Sequence, residues 1–132
     1  MTQTSVSARG RQAAALFAAL LTLSTACGHF VRNAQSDAQI VFVNESLDQA
    51  DVYASGTAGD PVRIGTVFGN RTETLKVPAT VVAEGGGNVN VSVHILAGSN
   101  VSSGPFPLRA GDTMRVRLTS DKRQLVVVPD RS

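Results

Sequence analysis

The sequence predicts an all-β fold: a small antiparallel β-sandwich of seven or eight strands. Three observations point there. Valine dominates the apolar residues while tryptophan is absent, and β-branched side chains suit a pleated surface better than a helix. Short apolar runs recur with turn residues between them roughly every 8–12 positions, the spacing of a sandwich. From residue 88 onward, apolar and polar residues alternate with period two, as in a sheet with one wet face. A small closed barrel is the runner-up.

Taken in order, Ile40 to Val43 is apolar on both faces and reads as a central strand. Asn44-Glu45-Ser46 turns the chain into a second short strand, Asp51 to Ala54. Gly56 to Pro61 is a loop. Val62, Ile64, Thr66 and Phe68 then alternate as a third strand ending at Gly69-Asn70. Thr72 to Val77 is a fourth, stopped by Pro78. The clearest strand follows Gly85-Gly86-Gly87: Val89, Val91, Val93 and Ile95 alternate with Asn88, Asn90, Ser92 and His94. Ser102-Ser103-Gly104 reads as a loop. Phe106 and Leu108, set among prolines, make an edge strand. Met114, Val116 and Leu118 alternate with Arg115 and Arg117. After the turn Ser120 to Arg123, Leu125 to Val128 is the last strand. No helix is expected after residue 26.

The first residues have a different character. Met1 to Arg11 holds two arginines and no acid, Ala13 to Leu23 is almost pure Ala/Leu/Phe, and Ser24-Thr25-Ala26 leads into Cys27. That is the three-part layout of a cleaved secretory signal, too short to span a bilayer stably. Arg9 and Arg11 are split by Gly10, so the pair is not a twin-arginine signal. A lone cysteine directly after a small residue at the end of such a run resembles the lipobox of bacterial lipoproteins. The resemblance covers residues 1–28 and departs from the family at Ser24, where leucine is commonest. It implies cleavage before Cys27, acylation of that cysteine, and a place in the cell envelope, on the outer side of the cytoplasmic membrane or, in a Gram-negative cell, in the outer membrane. Gly28 stands where an aspartate would resemble an inner-membrane retention signal. The chain then divides into a signal (1–26), a lipidated cysteine with its tether (27–38) and a β-sandwich domain (39–132). A single cysteine forms no internal disulfide, and two or three acyl chains anchor firmly where one does not.

A second resemblance covers about 90 residues. Ala38 to Asn44, Ala50-Asp51-Val52-Tyr53, Val77-Pro78 and Leu108-Arg109-Ala110-Gly111-Asp112-Thr113 are similar to small β-sandwich domains of unknown function in bacterial surface proteins. It carries over no catalytic residues.

Charge and chemistry set further limits. The formal net charge is +2, but removing residues 1–26 takes away Arg9 and Arg11 and no acid, leaving a formally neutral chain. Nucleic-acid binding needs a dense basic face, so nucleic acid is not an expected partner. Arg115 and Arg117 share one strand face, with Lys122 and Arg123 at its end, giving a basic strip for anionic headgroups or an acidic partner. The same charges would equally serve a solvated face guarded against edge pairing. His29 and His94 are the only histidines, too few with a lipid-bound cysteine to build a zinc site. Glu45, Asp48 and Asp51 have oxygen ligands for calcium but not the EF-hand spacing. Ser102-Ser103-Gly104 is no nucleophile elbow, and the glycine triplet precedes a strand and lacks the lysine of a phosphate loop. Four Asn-x-Ser/Thr triplets, at Asn44, Asn70, Asn90 and Asn100, are coincidental behind a bacterial signal. The expectation is a non-enzymatic interaction or structural module with no cofactor or metal, held to the membrane by lipid beside an envelope protein partner. The alternatives are an assembly or pilot subunit of an envelope complex, and a ligand-binding or hydrolytic domain.

Overall fold

A computed structural model describes residues 36–130, with 97 and 99 left out. The signal, Cys27, most of the tether, His29 and Phe30 lie outside the described residues. Eight strands and one short helix follow in order. Strands β1 (Ala38–Asn44), β4 (Arg71–Val77), β7 (Thr113–Leu118) and β8 (Leu125–Pro129) form one four-stranded sheet in the order β4-β1-β7-β8. Strands β2 (Ala50–Ser55), β3 (Val62–Val67), β5 (Asn88–Ile95) and β6 (Val101–Pro107) form the other, in the order β3-β2-β5-β6. The inner faces of the two sheets supply a single core, so the protein is the expected β-sandwich.

Alternation explains most of that core. Ala38, Ile40 and Phe42 point inward from β1; Val89, Val91, Val93 and Ile95 do so from β5; Val116 and Leu118 do so from β7. Ala38 is fully buried, which puts the start of the domain one residue before Gln39. Strand β1 is central in its sheet, as its two apolar faces require, and its outward Val41 and Val43 stay half-buried. Phe106 lies on an edge strand, where Pro105 and Pro107 interrupt the outermost ladder without costing an inner one.

Four features depart from the sequence expectations. First, β1 and β7 run parallel, whereas every other pairing is antiparallel; alternation fixes which side chains face inward but says nothing about strand direction. Second, a helix, α1 (Ala79–Glu84), joins β4 to β5. Pro78 sits at its N-cap and Val81 and Val82 are buried. Two adjacent valines disfavour a helix locally, but one six-residue turn buries both against the end of the sandwich, and that burial wins. Third, the alternation of Val62, Ile64, Thr66 and Phe68 does not survive. A bulge opposite Val52 and Tyr53 adds a residue to β3, so Val67 faces the core while Val62 and Phe68 are exposed. Fourth, Ser102-Ser103-Gly104 belongs to β6, at a register shift against β5.

Register and short connections sort the loops to two ends. The chain enters at Ala38 beside the β2–β3 loop, α1 and the β6–β7 turn. That turn is closed by bonds from Asp112 N to Arg109 O and from Arg109 N to Asp112 Oδ2, both 3.0 Å, with Gly111 at φ 84°. The opposite end, called here the distal pole, gathers the β1–β2, β3–β4, β5–β6 and β7–β8 loops.

Candidate interaction surfaces

The distal pole is organised by one buried amide. Asn44, the last residue of β1, is fully buried and spends all its hydrogen-bonding capacity. Its Nδ2 donates to Asp48 O at 2.8 Å and to Val67 O at 3.1 Å, the latter in the other sheet. Its Oδ1 accepts from Ser46 N at 3.0 Å and from Ser46 Oγ at 2.7 Å. Asn70 N in turn donates to Ser46 O at 2.9 Å, so the β1–β2 and β3–β4 loops form one unit. Gly69 permits that approach, because a Cβ there would lie 2.3 Å from Leu47 O. Nothing in the sequence marks this network beyond the asparagine and serine themselves; Asn44-Glu45-Ser46 reads as an ordinary turn.

The expected basic strip is divided by the fold. Arg115 and Arg117 do share the outer face of β7. Register places Arg115 between Val41 and Val128, and Arg117 between Val43 and Val126. Arg115 approaches Asp130 at 3.5 Å and Arg117 approaches Glu45 at 3.5 Å. Lys122 turns away into the distal pole, where its Nζ lies 2.5 Å from Asp48 Oδ2. Arg123 follows it in the β7–β8 turn, its backbone N donating to Asp121 Oδ1. Three of the four bases thus face a carboxylate. A solvated, charge-balanced face describes this arrangement better than an anion-binding strip does.

The three acids weighed for calcium are dispersed in the same way. Glu45 and Asp48 meet Arg117 and Lys122, while Asp51 stands on the outer face of β2. There Asp51 Oδ1 accepts from Thr66 Oγ1 at 2.7 Å and from Arg63 at 2.6 Å. These two bonds hold its carboxyl below the usual aspartate value. A depressed folded-state pKa gives stability that is present above the unfolded value and is lost as pH falls below about 4. Urea unfolding of the protein and of Asp51→Asn should therefore differ most near neutral pH and converge in acid. A difference that stays constant down to about pH 2 would remove the carboxylate from this account.

His94 is exposed beside Tyr53, with ring centroids 4.8 Å apart and tilted by 41°. Ser102 Oγ donates to Asn90 Oδ1 at 2.7 Å, and Ser103 Oγ donates to Gly104 O while accepting from Val91 N. Both hydroxyls mend the irregular β5–β6 pairing. Gly85 ends α1 against Gly56: a Cβ on Gly85 would meet Asn88 O at 1.8 Å, and one on Gly56 would meet Gly85 N at 2.6 Å. The β2–β3 loop borders two shallow depressions. One, about 530 Å³, is lined by Ala58, Gly59, Asp60, Val62 and Glu84; the other, about 390 Å³, includes Ser55, Thr57, Asn90 and Ser102.

The fold and these surfaces define a small eight-stranded β-sandwich domain whose distal pole is tied together by the hydrogen bonds of Asn44. Comparison of the chain with protein-family models, with curated proteins and with solved structures gives no match.

Proposed function

We propose that the protein is a bacterial envelope lipoprotein, anchored through Cys27, whose sandwich acts as a non-enzymatic interaction or structural module. The observation that carries this is the order of the first 27 residues: two arginines, an uncharged run from Ala13 to Leu23, then Ser24-Thr25-Ala26-Cys27. Acylation also gives the single thiol a purpose in an oxidising compartment. The paired carboxylates and the strand-mending serines support a module without chemistry of its own.

Mass spectrometry of protein isolated from membranes tests the anchor. The expected N-terminal residue is Cys27 carrying diacylglycerol, and Cys27→Ser should carry no lipid and should not be cut at that bond. A serine variant cut at the same bond and still membrane-bound would end the proposal. Affinity isolation of the anchored protein tests the module: a stoichiometric envelope complex is the expected result, and recovery alone with a small molecule in the sandwich would oppose it.

A further inference from the structure

Three of the large exposed apolar side chains stand together at the distal pole. Leu47 is 85% exposed on the β1–β2 loop, Phe68 64% on the β3–β4 loop and Leu96 85% on the β5–β6 loop. Phe68 follows Val67 and Leu96 follows Ile95, the residues that flank Ala50 on the two neighbouring strands, and the Leu47 backbone lies against Gly69. Strands lie about 4.8 Å apart, so Phe68 and Leu96 are separated by roughly 10 Å, with Leu47 beside them. Exposed apolar side chains gathered in this way mark a contact surface. The Asn44 network explains how two of the tips are held up, since it ties both of their loops to β1.

We infer that the distal pole is a membrane-contacting tip: Leu47, Phe68 and Leu96 insert into the interfacial layer of a lipid bilayer. The shape favours lipid over a folded partner. The three side chains protrude from three separate loops, each with most of its surface in solvent, so a flat bilayer can take all three at once. A bilayer requires only depth. The surrounding charges nearly cancel as well: Glu45, Asp48 and Asp121 stand against Arg71, Arg117, Lys122 and Arg123, a nearly neutral rim suited to zwitterionic headgroups.

Where Cys27 carries lipid, reach permits both contacts on one bilayer. Residues 28–37 extend to about 33 Å, whereas the seven residues of β1 span about 23 Å. The chain can thus double back from an anchored Cys27 and still enter at Ala38 with the distal pole down. Tethering would hold the tip near the surface at high effective concentration. The tip does not require the anchor, so the two proposals can fail separately.

The absence of tryptophan makes Phe68→Trp a single reporter in the full chain. On phosphatidylcholine vesicles its emission should shift to the blue and be quenched by brominated lipid. Adding Leu47→Asp to this reporter chain should weaken the lipid quenching of the indole, and unchanged quenching would oppose the tip. Cys27→Ser with Phe68→Trp should still be quenched at high lipid. Quenching seen only with the anchored chain would mean that the tip has no affinity of its own for lipid, and would overturn the inference. A reporter indole that stays water-like and iodide-accessible on vesicles bearing the anchored chain overturns it. A blue shift that grows with protein concentration without lipid assigns the pole to a second copy. Burial seen in native membranes but not in pure lipid assigns it to an envelope protein. Either result also overturns the inference.

Discussion

Asn44→Ala should destabilise the domain by about 3–5 kcal/mol, seen as a lower urea midpoint with little change in slope. The truncation takes a partner from Val67 O and Ser46 N, and leaves Asp48 O and Ser46 Oγ with only the longer bonds between Ser46 and Asp48, at 3.3 Å. A buried polar group left unpaired costs about 1–3 kcal/mol, and relaxation of the loop into water recovers part of the sum. Against a typical stability of about 5–15 kcal/mol, that is a large fraction. Asn44→Asp should be no milder. A carboxylate has no hydrogen to donate, so it would turn an oxygen towards two carbonyls where the amide donates. A loss below about 1 kcal/mol for the alanine variant would mean that the bridge between the sheets carries no net stability.

Phe42→Ala should cost about 4–5 kcal/mol, the upper part of the range for aromatic truncation in a core. Phe42 is the largest fully buried side chain of the sandwich. The reason for the upper end is its surroundings. Valine is the commonest residue of the core, and a β-branched side chain has little χ1 freedom with which to lean into a void. Val116, its neighbour in β7, is also fully buried. The cavity should therefore persist rather than collapse. Phe106→Ala, on the edge strand β6, should cost less because the outermost strand can relax and admit water. Thermal or urea unfolding of the two variants gives the comparison, and equal losses would count against a rigid valine core.

These two residues also mark how far the sequence speaks for the fold. Phe42 was legible: it sits in an apolar run whose period-two partners Ile40 and Ala38 share its burial. The same logic located β5 and β7 with their inward residues, because a strand with one wet face writes its orientation into every second position. Asn44 was not legible. Its value depends on Val67, 23 residues away, and no local pattern encodes that meeting. In β3 the alternation holds for Ile64, which packs against the core, and fails beyond the bulge, where Val67 turns inward and Phe68 outward; Gly65 was the available signal, since a glycine within a strand often marks a bulge. Helix α1 escaped because six residues are too few to display a helical period and its two valines speak for a strand. The basic strip was half legible: Arg115 and Arg117 share a face by parity. The acids that meet them, and the turn that draws Lys122 aside, arise from the tertiary arrangement.

The parallel pairing of β1 with β7 bears on how the protein acquires its structure. Gln39 meets Thr113 and Asn44 meets Leu118, 74 residues further along in each case. The first sheet thus has no centre until nearly the whole chain is available. Such distant partners make folding slow, because closing the loop costs entropy before any contact rewards it. A segment beginning at residue 38 would emerge from a ribosome long before β7, and only its β4 edge could pair in the interval. Were the chain exported as we propose, this delay would be an advantage: the sandwich would close only after its C-terminal strands had arrived on the same side as its first.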